Sequence, residues 1–385
     1  MDELLFFDYN QKSSVLLIFF ANALLFTLLL YRKGRLENRS SSLWLAGFVF
    51  LGALYIVPFM CGYAGWYGES SYRTFLFFVP FQQLFLIGPV FYGYILSLLD
   101  TNFRVAGTQW LHFLPAALYL LYSLIVFVGD VFVFDSYYFY ADGMDKDLDP
   151  WYQIAGLISM LAYLMISLKA HAAYRRLAVQ QVSYADAIAY QWVKHFAIAF
   201  GLMLLLRVLF FILNPEWWEF GRKFWYYLCF SIMLLYMAIA GYSHTLKSGQ
   251  SLAMGSIPPK PDSNANDPNE IDLQQWKPKI DALFARQQLH KNPNLTLIEV
   301  GQQLETNRSV VSKVINQGFQ MNFNDFVNEK RVVSVIEQLQ KKAHGTNTLL
   351  GIAYDCGFNS KTTFNRAFKK YTGATPKQYI ADNGL

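Results

Sequence analysis

The chain has 385 residues, 54% of them hydrophobic and only 15% charged. Soluble chains carry about 25% charged residues, so this composition excludes an ordinary soluble enzyme. The net charge of +5 is uneven: residues 271–385 hold 15 Lys/Arg against 9 Asp/Glu, while the first 270 hold 17 against 18. A basic tail behind a neutral apolar block implies an anionic partner for the tail, either DNA or an acidic lipid surface.

The N-terminus reads Met1-Asp-Glu-Leu, acidic where a secretory signal carries positive charge, so the first apolar run is expected to be a retained span. A crossing needs about 20 mostly apolar residues. Seven stretches qualify: 13–31, 43–63, 74–99, 110–133, 151–171, 193–213 and 223–244. Pro58, Gly62, Pro80 and the Gly88-Pro89 pair interrupt the second and third. Proline is tolerated in a span where neighbouring helices satisfy the freed carbonyls. Trp44, Trp66, Trp110, Trp151, Trp192, Trp217, Trp218 and Trp225 cluster near span ends, as in an interfacial aromatic belt.

Basic loop residues set orientation. Arg32, Lys33, Arg35 and Arg39 follow the first span, and Arg175 and Arg176 follow the fifth, flanked by Lys169 and Lys194. The opposite loops carry Glu69, then Asp135, Asp142, Asp145, Asp147 and Asp149, then Glu216 and Glu219. The expected topology is multi-pass in the inner (cytoplasmic) membrane, N-terminus outside and C-terminal domain in the cytoplasm.

Arg207 sits inside the sixth span, within Leu-Leu-Leu-Arg-Val-Leu-Phe-Phe. An intramembrane charge costs on the order of 3 kcal/mol on insertion scales and faces a partner or a watery cavity. Asp130, at the end of the fourth span, is the candidate counter-ion. Arg207 reads either as part of an anionic-ligand site or a coupler of helices during signalling, or as a structural ion pair or a side chain snorkelling to the outer headgroups. His112, in His112-Phe-Leu-Pro115, reads as a packing or hydrogen-bonding residue. Cys61, Cys229 and Cys356 have no disulfide or metal spacing and read as packed thiols.

Residues 245–270 shift abruptly to Pro, Ser, Asn and Asp. Such a stretch cannot bury enough surface to fold, and as a flexible coil it reaches about 30 Å.

From 271 onward the pattern is helical, in two similar halves. Thr296-Leu-Ile-Glu299 is a capping box that opens a helix, a turn follows at Glu305-Thr-Asn307, and a second helix starts at Arg308. Val311, Val314 and Ile315 share its inner side, leaving Arg308, Ser309, Ser312 and Lys313 outward. In the second half Leu349, Ile352 and Ala353 face inward, Gly357 permits the turn, and Ser360 caps a helix whose Phe364, Ala367 and Phe368 point in. Lys361, Thr362, Thr363, Asn365 and Arg366 remain outward. Between the halves, 324–342 makes one long helix with Phe326, Val327, Val333, Ile336 and Leu339 on its stripe. Two helix-turn-helix units on such a spacer suit consecutive major grooves, about 34 Å apart. Arg, Lys, Asn, Ser and Thr read base edges, and Lys341, Lys342, Lys369 and Lys370 suit phosphates.

The run Gly351-Ile-Ala-Tyr-Asp-Cys-Gly-Phe-Asn-Ser-Lys-Thr-Thr-Phe-Asn-Arg-Ala-Phe-Lys-Lys-Tyr-Thr-Gly-Ala-Thr-Pro376 resembles the signature of the AraC/XylS regulators. Asn322-Phe-Asn-Asp-Phe-Val-Asn-Glu-Lys-Arg331 is similar to that family's linking segment, and the resemblance covers about residues 275–382. It implies base-reading roles for Ser309, Ser312 and Lys313 in the first unit, and for Lys361, Thr362, Asn365 and Arg366 in the second. The chain departs from the family pattern at Glu305 and Gln320, where glycine is common. The Gly88-Pro-Val-Phe-Tyr-Gly-Tyr94 and His112-Phe-Leu-Pro115 runs resemble those of membrane-bound regulators of this type.

The expectation is therefore an all-α protein. A seven-helix transmembrane sensor (1–244) leads through a flexible linker (245–270) to a double helix-turn-helix DNA-binding domain (271–385). Its expected partners are double-stranded promoter DNA, the lipid bilayer, an unidentified small-molecule or membrane signal, and a second copy of the chain in a homodimer. No P-loop, zinc motif, nucleophile elbow or paired membrane carboxylate points to catalysis, so neither an enzyme nor a cofactor is expected. The alternatives are a transporter or enzyme with a regulatory tail, and a tether of DNA to membrane.

Overall fold

A computed structural model describes residues 7, 9–100, 103–185, 191–211, 220–248, 272–341 and 347–385. The N-terminal tetrapeptide, Glu216, Trp217, Trp218, Glu219, Lys342 and the expected linker beyond Ser248 lie outside the described residues. Among those described, every regular element is helical, and the one extended pairing is an isolated bridge between Val182 and Thr296. Two compact units form: 1–171 with 191–254, and 172–190 with 255–385.

The first unit holds α1 (Gln11–Leu36), α2 (Ser40–Tyr63), α3 (Ser70–Phe78), α4 (Leu84–Leu99), α5 (Leu114–Val128), most of α6 (Pro150–Gln181), α7 (Gln191–Phe211) and α8 (Phe220–Ser248). α2 is apolar on all sides and buried along most of its length, which makes it the centre of the bundle. It packs against α1, α4 and α8. Glycines allow close crossings: a Cβ on Gly52 would lie 2.6 Å from the Leu234 side chain, and one on Gly156 would lie 2.5 Å from Leu84. Trp110, Trp151 and Trp225 are exposed near helix ends, as an interfacial belt requires.

Six helical stretches are long and apolar enough to cross a bilayer: Gln11–Leu36, Ser40–Tyr63, Gly107–Val133, Pro150–Gln181, Trp192–Phe211 and Phe220–Ser243. The expected third span, 74–99, is not one helix. It breaks between Phe78 and Leu84, and α4, with 16 residues, falls short of the usual length. Pro80 has no N–H to continue the ladder. The neighbouring backbone groups find other partners. The Asp147 carboxylate accepts from Gln82 N (2.8 Å), and Tyr152 Oη accepts from Leu84 N (3.0 Å) while donating to Gln82 O (2.6 Å). The Tyr140 hydroxyl donates to Phe77 O. Irregular backbone survives at such depth only when protein groups satisfy it. Asp147, which reads in sequence as one acid of a polar loop, is thus a buried carboxyl group at the N-terminal end of α4.

The second unit is built from α9 (Leu273–Gln287), α10 (Leu297–Gln303), α11 (Arg308–Lys313), α12 (Phe323–Gln340), α13 (Leu349–Asp355), α14 (Lys361–Thr372) and α15 (Pro376–Asp382). One helix serves two cores. Phe323, Phe326 and Val327 of α12 join Ile280, Phe284, Val300, Val311 and Ile315. Val332, Val335 and Leu339 join Ile352, Phe358, Phe364 and Phe368. The inner stripe therefore runs through Val332 and Val335 rather than the expected Val333, which is only half-buried.

Residues 172–190 complete this unit. Ser183 N donates to Leu295 O (3.0 Å), and Ser183 O accepts from Asn324 Nδ2 (2.8 Å). Arg331 of α12, 1% exposed, ties the pieces together. Its Nε donates to His290 O (2.9 Å) and its Nη2 to Asn292 O (2.8 Å) and Ser183 Oγ (3.1 Å). Its Nη1 donates to Ser183 O and Asn328 Oδ1, both at 3.2 Å. Burial lowers its pKa to about 10, so it stays charged at neutral pH.

Candidate nucleic-acid interface

Each half of the second unit is a short helix, a tight turn and a second helix. In the first, Thr296 and Glu299 cap α10 reciprocally: Glu299 N donates to Thr296 Oγ1 (3.3 Å) and Thr296 N donates to Glu299 Oε2 (2.7 Å). The turn closes with Thr306 N donating to Gly301 O (2.9 Å), and Asn307 Oδ1 caps α11 through Ser309 N (3.0 Å). In the second, Thr348 caps α13 through Gly351 N (3.1 Å), Phe358 N donates to Ala353 O (3.0 Å), and Ser360 caps α14 through Thr363 N (3.1 Å). Thr296, Gly301 and Thr306 thus have their counterparts in Thr348, Ala353 and Phe358. The same offset matches Glu305 to Gly357, and both adopt left-handed backbone, at φ 52° and 93°.

This settles the two departures from the family pattern. Glu305 and Gln320 (φ 56°) keep the left-handed geometry that glycine adopts freely. Each non-glycine residue there costs roughly 1–2 kcal/mol, partly offset by the roughly 0.5–1 kcal/mol that glycine loses in chain entropy. Glu305→Gly and Gln320→Gly should each stabilise the domain by about 0.5–1 kcal/mol. Hydrogen exchange of the α10–α12 amides in the full chain is the measurement, and faster exchange for both variants would contradict the strain argument.

The second recognition helix is sharply two-faced. Phe364 and Phe368 are buried, and Lys361, Thr362, Asn365, Arg366, Lys369 and Lys370 are all exposed. Thr362, Asn365, Arg366 and Lys369 fall at i, i+3, i+4 and i+7, which is one side of a helix. Thr363 corrects the sequence reading: it is 5% exposed, and its hydroxyl accepts from Ser360 Oγ (2.9 Å) in the cap. Burial and the nearby Arg175 guanidinium lower the Arg366 pKa. Lys370 Nζ lies 2.8 Å from Asp325 Oδ2, so it is ion-paired to the first turn of α12. On α11, Arg308, Ser309, Ser312 and Lys313 are half-buried, and Ser312 Oγ accepts from Asn316 Nδ2 (3.3 Å). Lys341 is exposed just after α12. At 1.5 Å per residue α12 is about 27 Å long.

The intramembrane pair is not brought together. Arg207 is 4% exposed, and its Nη2 donates to Gln153 O (2.9 Å) and Gln153 Oε1 (2.6 Å). Asp130 is also buried, but its Oδ1 accepts from Phe139 N (2.9 Å), and no ion pair joins it to Arg207. Gln153 passes the polar chain on, donating to Gln82 Oε1 (2.8 Å), and Gln82 Nε2 donates to Tyr227 Oη (3.1 Å). His112 Nδ1 lies 2.9 Å from Tyr163 Oη in a structural contact. Among the described residues no three His, Cys, Asp or Glu side chains group as a metal site, and the three cysteines are free thiols.

Comparison with known proteins agrees with the geometry of the tail. Residues 283–382 match a family described as a helix-turn-helix domain. Over 95 residues the chain is 32% identical to a helix-turn-helix-type transcriptional regulator of Staphylococcus aureus strain COL. Equivalent regulators of strains MSSA476 and MRSA252 match to the same extent. The match covers 25% of this chain and 12% of each relative. No solved structure matches. The C-terminal part is thus an AraC-type helix-turn-helix domain, a DNA-binding module of transcriptional regulators, behind a series of apolar helices suited to a membrane.

Proposed function

We propose that the chain is a membrane-anchored, sequence-specific transcriptional regulator that responds to a signal through its apolar helices and has no enzymatic role. Residues 1–244 form the sensor, 245–270 the linker and 271–385 the DNA-reading domain. The N-terminus lies outside the inner (cytoplasmic) membrane and the tail lies in the cytoplasm. That topology counts the broken α3–α4 element as one crossing among seven. A homodimer suits such a regulator. Promoter DNA is its target, and a ligand acts by binding two states of the sensor unequally.

The observation that carries the reading is the exposed polar face of α14, opposite a buried aromatic face, in the second of two equivalent units sharing α12. Arg366 and Asn365 suit base edges, and Lys369 suits phosphate. Fluorescence anisotropy with a panel of duplexes tests this. Arg366→Ala should cost about 1–3 kcal/mol at particular base pairs. Lys369→Ala should weaken binding on every sequence and reduce the salt slope by about 1. Equal losses on all duplexes for both variants would remove the base-reading role of Arg366.

A further inference from the structure

Within the first unit, a cavity of about 130 Å³ lies among α2, α6, α7 and α8. Its walls combine two cations, Arg207 and Lys223, with Phe59, Ile154 and Tyr227. Arg207 is more than nine-tenths buried, and its guanidinium is met by neutral groups: it donates to the two oxygens of Gln153 and lies 5.9 Å from the centroid of the Tyr55 ring. Among the described residues no carboxylate lies within ion-pair distance of it. Lys223 Nζ stands 5.7 Å from the Phe59 ring centroid and 6.0 Å from that of Phe211. Ile154, on the same wall, is 56% exposed on the outside of the bundle, so the cavity borders the surface that would face lipid.

A buried charge inside apolar helices faces a partner or a binding pathway. Gln153 accepts both Nη2 hydrogens of the guanidinium, which leaves Nη1 and Nε to donate to an anion. Apolar walls with a few convergent polar groups are the usual make-up of a small-molecule site. We infer that this cavity binds an anionic amphiphile, a carboxylate or phosphate head on an apolar chain. Arg207 holds the head, Lys223 adds charge, and the chain runs past Ile154. The inference rests on the sensor reading above and names its ligand class. A free fatty acid and an anionic phospholipid share this chemistry.

The test uses the full chain in nanodiscs of neutral phosphatidylcholine, with equilibrium binding of radiolabelled oleate and of oleyl alcohol. Oleate should bind saturably and at least tenfold more tightly than the alcohol. Arg207→Gln should erase that preference, and Arg207→Lys should retain part of it. Should Arg207→Gln fail to assemble, Lys223→Gln serves instead, with a several-fold loss for oleate and none for the alcohol. Adding phosphatidylglycerol to the discs separates the sources. Displacement of oleate identifies a resident lipid headgroup, and no displacement identifies a free amphiphile; either supports anion binding. Equal affinity for acid and alcohol, or an unchanged preference in both Gln variants, overturns the inference. Duplex DNA binding by the same discs is measured alongside. Its survival with no oleate preference overturns this inference alone, whereas its loss strikes the regulator reading instead.

Discussion

Replacing Arg331 by alanine should destabilise the DNA-binding unit by about 3–5 kcal/mol, from hydrogen bonds of a charged donor worth roughly 1.5–3 kcal/mol each and from the acceptors left buried. Domains of this size are stable by only about 5–15 kcal/mol in total. The side chain is 1% exposed and donates to three backbone carbonyls, those of Ser183, His290 and Asn292. Truncation leaves the His290 carbonyl without its donor and removes the shorter bond to Asn292 O, while Ser183 O keeps Asn324 Nδ2. Hydrogen exchange on the full chain gives the readout. Amides of α10 through α12 should exchange roughly a hundredfold faster or more, since each 1.4 kcal/mol is tenfold. Arg331→Lys keeps the charge but not the planar fork, so it should fall between. Exchange within about fivefold of the parent for Arg331→Ala would show that the fork is dispensable.

The second large effect is expected at Gly357. Its φ of +93° is left-handed, and a Cβ there would lie 2.2 Å from His290 O and 2.9 Å from Lys291 Cα. Both obstacles are backbone, so no rotamer change relieves them. Gly357→Ala should cost about 3 kcal/mol or more, combining left-handed strain of roughly 1–2 with overpacking of roughly 1–3. Gly373 provides the control. Its φ is +79°, but nothing lies within 4 Å of its ideal Cβ, so Gly373→Ala should lose only about 1–2 kcal/mol. Exchange rates in α13 and α14 compare the two. Equal losses would mean that the contact with the His290–Lys291 turn contributes nothing. Arg331 and Gly357 both meet the His290–Asn292 turn, so this turn is where the two halves of the domain are held in register.

The tail was largely legible because its information is local. Capping residues, turn positions and helical periodicity act within a few residues, and the capping box at Thr296 and the cap at Ser360 appear where their spacing puts them. Thr363 escaped this logic. A threonine reads as a surface residue, and only the cap it shares with Ser360 turns it inward. Val332 and Val333 are sequence neighbours about 100° apart around the helix, and only Val332 faces the second core.

Composition and hydropathy by themselves determined that the front of the chain is apolar helix and the back a basic helical domain. Burial leaves a periodic record along each helix, and the turns are set by residues a few places apart. The tertiary structure decided the rest. It broke the third apolar stretch and satisfied it with Asp147 and Tyr152, gave Arg207 to Gln153 rather than Asp130, and brought Ser183 to Arg331. Those partners stand tens of residues apart or more, and no local pattern records which distant group a packed helix will meet.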